Sequence, residues 1–193
     1  MQRNSKGLLN TRTMIVLAMI SAVAFVLAAT IRFPVVPAVG FLRYDPKDIV
    51  IVLGGFLFGP LAAFIVTVVV SLIQLFTTSA TGFIGFIMNV ISGTAFACTA
   101  AFIYNKNRTL KGAVLGLVAG TVVMTVVMML WNYIVTPGFM GVPREQVVAL
   151  LVPGFLPFNL FGGIVNSALV LLIYKPVSSA LQRSGLLPKS RQG

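Results

Sequence analysis

Ile49-Val50-Ile51-Val52-Leu53-Gly54-Gly55-Phe56-Leu57-Phe58-Gly59-Pro60 opens an uncharged run that ends only at Asn105. At roughly 57 residues the run is far too long for one helix across a bilayer, which needs about 20 apolar residues. Two breaks divide it. Gly59-Pro60 is one, because proline lacks an amide donor and disfavours helix in the residue before it. Thr77-Thr78-Ser79-Ala80-Thr81-Gly82 is the other, a polar turn cluster. Three helices result, at about 47–59, 61–77 and 83–104.

Outward from this run the pattern repeats. Thr13 to Ile31 is an uncharged stretch that predicts a helix at about 12–31. Gly112 to Pro143 predicts one at about 112–135, ending before Pro137-Gly138. Gln146 to Tyr174 contains the breakers Pro153, Gly154 and Pro157, and predicts a last helix at about 158–181. The expected fold is an all-α integral membrane protein of six transmembrane helices in a single domain over 1–193. The 47–59 helix spans only about 20 Å at 1.5 Å per residue, so it must pack against neighbours or end inside the protein.

Composition agrees. The chain carries 14 Lys plus Arg, 3 Asp plus Glu and no His, a formal charge of +11, with 58% hydrophobic and 9% charged residues. A soluble domain has about a quarter charged residues. The chain is too apolar for disorder, and its basic residues lie between apolar runs rather than on a soluble nucleic-acid-binding scaffold. Without histidine there is no imidazole base and no His-ligated metal. There is no GxxxxGK[ST] loop for ATP. Cys98, in an apolar run, reads as a packing residue, because an activated thiolate needs positive charge nearby. These absences argue against an enzyme.

The charges also carry an orientation. Arg3, Lys6, Arg12, Lys106, Arg108, Lys111, Lys175, Arg183, Lys189 and Arg191 fall on the side of the termini. Arg32, Arg43, Lys47 and Arg144 fall on the other, with all three acids, Asp45, Asp48 and Glu145. The positive-inside rule then puts both termini in the cytoplasm, in the cell membrane. The apolar stretch Met14 to Ile31 exceeds the roughly 7–15 residues of a signal-peptide core, so a retained helix is expected.

Amides inside the spans are costly and mark either helix contacts or function. Gln74, Asn89, Asn132 and Asn159 come from four helices and fall at one depth, in the outer half. Asn159 and Asn166 are seven apart on one helical face, with Gly162 and Gly163 between them. The glycines either leave room for a ligand or permit close helix packing. Trp131, Tyr133, Phe139, Phe155 and Phe158 surround the same region, as an interfacial belt or as the walls of a site. With no charge at that depth, the expected ligand is neutral, flat and rich in hydrogen-bonding groups. The loop 32–46, stiffened by Pro34 and Pro37, suits a lid over this pocket. Asp45 fits an N-cap, Pro46 N1 and Asp48 N3 of the second helix. In the first helix, Ala18 and Ala22 form a small-xxx-small pair, as do Ala24 and Ala28.

Together these features resemble the substrate-binding S component of energy-coupling-factor (ECF) vitamin transporters, most closely the riboflavin-specific type. The resemblance covers nearly the whole chain. It is carried by Phe41-Leu42-Arg43-Tyr44-Asp45-Pro46-Lys47-Asp48, by Gly54-Gly55-Phe56-Leu57-Phe58-Gly59-Pro60, by Trp131-Asn132-Tyr133 and by Pro157-Phe158-Asn159-Leu160. Ala18-Met19-Ile20-Ser21-Ala22 fits the family's AxxxA motif, which in the family faces the transmembrane T subunit. The resemblance implies an outward-open site for riboflavin as transported ligand, with no cofactor. The implied partners are a T subunit and two ATPase subunits, and the implied mechanism is toppling of the whole component in the membrane. Asn132 and Asn159 carry over as ligand-binding positions. With the loop, amide and aromatic positions, the candidate substrate-binding set is Leu42, Tyr44, Asn89, Trp131, Asn132, Phe158, Asn159, Gly162 and Asn166. The candidate partner-binding pair is Ala18 and Ala22. Gly162 departs from the pattern, which has a lysine three residues after the sixth-helix Asn. Ala63 replaces the glycine expected in a GPxxG-like turn.

Overall fold

In a computed structural model of the chain, residues 10–79 and 81–183 are described. Arg3, Lys6, Lys189 and Arg191, used above for orientation, lie outside them. Helix α1 is Thr11–Thr30, α2 Lys47–Phe58 and α3 Pro60–Thr77. Helix α4 is Gly82–Lys106, with one wide π turn at Thr94–Cys98, and α5 is Leu110–Met140. Helix α6 has three segments: Arg144–Leu150, a π turn at Leu151–Phe155, and Leu156–Arg183. Five of the six are long and apolar enough to cross a membrane. The exception is α2, with 12 residues, most of them buried by the helices around it.

The helix boundaries have local causes. Asn10 caps α1, its side chain accepting from the Arg12 amide at 3.2 Å. Thr109 caps α5 by accepting from the Gly112 amide at 3.1 Å. Gly59 (φ 102°) adopts a backbone geometry closed to other residues, and Pro60 then starts α3 at its first position.

The expected ends of α5 and α6 need correction. Helix α5 continues through Pro137 to Met140, and Gly141 in the left-handed conformation ends it. Proline removes one backbone bond but does not forbid helix. In a bundle the freed carbonyl can be satisfied locally, so the true stop is the glycine. Helix α6 likewise starts at Arg144, not 158. Pro153 lies inside the π turn, whose wider spacing tolerates a residue with no amide donor. The cap of α2 is also displaced. Pro46 takes the N-cap position without a side-chain bond, and Asp45 reaches the Lys47 amide only at 3.4 Å.

Small residues set how closely the helices approach. A Cβ on Gly55 would lie 2.9 Å from the Ala101 Cβ and 3.0 Å from the Ala63 Cβ, so α2, α3 and α4 meet there without a spare methyl. Ala63, where the resemblance leads to glycine, therefore stands opposite a glycine. A Cβ on Gly116 would lie 2.6 Å from the Ala100 carbonyl oxygen, which locks α5 onto α4. Phe56, Val66, Phe96 and Leu117 fill the main core. The outward faces remain apolar, with Met19, Val23, Leu115, Val122 and Leu172 exposed, as lipid contact requires.

The loop 32–46 folds over one end of this bundle. Strands β1 (Phe33–Pro34) and β2 (Arg43–Tyr44) pair antiparallel around a 3-10 turn at Pro37–Val39. Val39 and Leu42 are buried in a second, smaller core with Val147 and Phe155 of α6. Arg32 fixes the start of the loop by donating to the Thr78 carbonyl at the end of α3, at 2.7 Å.

Candidate functional site

Beneath this loop a cavity opens among α2, α4, α5 and α6, with about 870 Å³ of empty space, its open mouth included. Loop, amide and apolar groups line it together. Leu42 and Tyr44 come from the loop, Asn89 from α4, Asn132 from α5, and Phe158, Asn159, Gly162 and Asn166 from α6. Of the candidate substrate-binding residues only Trp131 is elsewhere. The helix turns it toward the main core while Asn132, its neighbour, borders the site from a fully buried position, its Oδ1 accepting from the Thr136 hydroxyl at 2.8 Å. Gln74 is buried away from the cavity, with its Oε1 unpartnered among the described residues. Three of the four amides expected to converge do so.

The two glycines of α6 serve different ends. Gly162 lies at the cavity, where a Cβ would stand 3.8 Å from the Tyr44 ring, in ordinary contact. A Cβ on Gly163 would run into Thr121 instead, so this glycine permits the α5–α6 packing. Close packing accounts for Gly163, whereas Gly162 borders the cavity.

Tyr44 ties the loop to α6. Its hydroxyl donates to Asn166 Oδ1 at 2.7 Å, and its ring sits between Phe33 (centroids 5.6 Å apart) and Phe161 (5.5 Å). Burial, and then the nearby Asp48 and Asp45 carboxylates, push the phenol up to about 12. It therefore remains a donor throughout the physiological range. Asn132 and Asn159 each give one Nδ2 hydrogen to the carbonyl four residues earlier, Met128 and Phe155, at 2.7 Å. Those bonds fix the rotamer and orient each amide. Leu42, Met88, Met124, Met128 and Phe158 supply the apolar surface between the polar groups.

The expectation of a charge-free site is wrong. Arg32, Arg43, Asp45, Lys47 and Asp48 all contribute to the lining. Lys47 is buried, and its ammonium donates to both Asp45 oxygens (2.9 and 3.0 Å) and to Asn89 Oδ1 (3.2 Å). Asp48 Oδ1 is buried with no protein partner among the described residues. Local sequence pattern alone places these residues in a lid loop and at the capping positions of α2. The usable signal was that Lys47 and Asp48 begin an otherwise wholly apolar helix, where a charge persists only if paired. Partner-face expectations can be placed as well. Ala18 and Ala22 are exposed on α1, whereas Ala24 and Ala28 are buried against the bundle.

Comparisons with known proteins give the family. Residues 12–174 match the family described as the substrate-specific component of ECF transporters. A riboflavin transporter, RibU, of Staphylococcus aureus is 32% identical over 187 residues, covering 94% of this chain and 98% of the relative. The riboflavin transporter FmnP of Bacillus subtilis is 31% identical, covering 86% of this chain and 92% of its own length. A solved structure described as the S component of a bacterial ECF transporter superposes with a TM-score of 0.78 at 34% identity, covering 89% of this chain and 98% of that one. The chain thus belongs to the substrate-specific components of ECF transporters, a family of multi-pass membrane transport proteins and not of enzymes.

Proposed function

We propose that the chain is the riboflavin-capturing subunit of an ECF importer. The observation that carries this reading is the cavity beneath the loop, with amides from three helices set among apolar side chains, in a chain whose near-full-length relatives are riboflavin transporters. Riboflavin is a neutral molecule with a flat tricyclic ring and a polyol tail. The apolar surface of Leu42, Met88, Met124 and Phe158 suits the ring, and Asn132 and Asn159 suit its polar edge. Charges in the wall do not conflict with a neutral cargo. Lys47 and Asp45 satisfy one another, and the remaining donors and acceptors suit hydroxyl groups.

Energy enters from outside the chain. The sequence has no phosphate-binding loop, so the T subunit and two ATPase subunits of such importers supply it, and the exposed Ala18–Ala22 face of α1 is the surface offered to the T subunit. The excess of basic residues on the terminal side supports cytoplasmic termini and a cavity that opens outward in the cell membrane. Capture from outside followed by toppling is the transport cycle this implies. Titration of the detergent-purified chain with riboflavin tests the reading, with saturable one-to-one binding as the expected result. An S component for another vitamin or a flavin analogue is the second reading, and Gly162, in place of a lysine, is what favours it.

A further inference from the structure

A second cavity lies at the end of the bundle remote from the loop, walled by α2, α4, α5 and α6. Its floor is apolar, with Phe56 stacked on Tyr104 at 4.3 Å between ring centroids and Leu171 beside them. Tyr104 and Tyr174 share a hydroxyl–hydroxyl hydrogen bond on its wall. Arg108 and Lys175 line it from the α4–α5 turn and from α6, and both are exposed. Arg108 spends one donor on Asn105 Oδ1 at 2.9 Å, and a guanidinium has four more.

No acidic side chain of the protein can neutralise this pair. The sequence holds three acids, and Asp45, Asp48 and Glu145 all lie at the loop end. Two cations converging over an aromatic floor at the boundary of a membrane-spanning bundle attract an anion that also brings apolar surface. Exposed Leu110, Val114 and Leu172 continue the apolar surface away from the cavity along α5 and α6, where an acyl chain would run. We propose that this cavity seats the headgroup of an anionic phospholipid, its phosphate held by Arg108 and Lys175 and its chains on the α5–α6 surface. Free phosphate offers the same charge but makes no use of the apolar faces.

The test uses the full chain purified in neutral detergent. Phosphatidylglycerol, phosphatidylcholine or inorganic phosphate is added in turn, and binding is read by native mass spectrometry with the unfolding temperature beside it. The expected result is retention of phosphatidylglycerol over phosphatidylcholine, with little effect of inorganic phosphate. Arg108→Gln and Lys175→Gln should each weaken phosphatidylglycerol binding about fivefold, and the pair about 25-fold. Both side chains are exposed, and an unchanged unfolding temperature without lipid shows that the variants fold. Equal retention of the two lipids, undiminished binding in the double variant, or equal stabilisation by inorganic phosphate would overturn the assignment. The readout needs no vitamin, so it succeeds or fails independently of the riboflavin reading.

Discussion

At the scale of single residues, the site depends on a few side chains held by defined partners. Tyr44→Phe removes the hydrogen bond to Asn166 and leaves the ring packing in place. A neutral hydrogen bond contributes about 0.5–1.5 kcal/mol to folding, so the unfolding free energy should fall by about that much in a denaturant titration. The phenol sets a pH limit as well. Its folded value is raised to about 12 from an ordinary 10. The stabilisation it gives is therefore complete below about pH 10 and is lost as the pH climbs toward 12. Thermal stability measured from pH 6 to 9 should be flat in its contribution, and Tyr44→Phe should not change that flatness. Lys47 has a larger effect. Lys47→Met leaves the Asp45 carboxylate buried without its cation, at a cost of about 3–5 kcal/mol. Asp45→Asn added to Lys47→Met should recover most of the lost unfolding temperature, whereas an additive loss would show that the two residues act separately.

At the scale of elements, much was readable from the chain. Charge-free runs gave the spans, because a bilayer tolerates few unpaired charges, and Gly59-Pro60 marked the α2–α3 break. The positions of Asn159, Gly162 and Asn166 on one face followed from helical spacing. Pro137 and Pro153 read as helix breaks but lie inside α5 and α6, because proline weakens a helix by one bond and whether the helix stops depends on tertiary contacts. Adjacent residues on a helix point about 100° apart, and on α5 that turn carries Trp131 against the main core while Asn132 borders the cavity. The ion pair of Lys47 with Asp45 is local and readable, whereas its burial at the cavity and its bond to Asn89 of α4 depend on tertiary packing that local sequence does not reveal. Close packing of α2 gives the test at this scale. Gly55→Ala places a methyl where the Ala63 and Ala101 methyls already stand, at a cost of about 1–3 kcal/mol. Ala63→Gly in the same chain should relieve part of it in a thermal scan. No relief would mean that Ala101 alone limits the approach.

At the scale of the whole molecule, the bundle presents different surfaces to different partners. Its loop end holds all the acids and the amide-lined cavity, its far end holds basic residues, and α1 exposes Ala18 and Ala22 toward the lipid. Ala18→Trp should disrupt co-purification with the T subunit while leaving vitamin binding unchanged. Loss of both would show that the residue supports the fold rather than the contact. The family follows from sequence and fold across the whole chain, whereas the cargo depends on a handful of cavity residues. Riboflavin titration by fluorescence quenching, on the purified protein and on Asn132→Ala and Asn159→Ala, tests that central claim most directly. Saturable one-to-one binding, weakened in both variants while their unfolding temperatures stay within a few degrees of the parent, is the predicted result. An absence of riboflavin binding by the folded parent protein would contradict it.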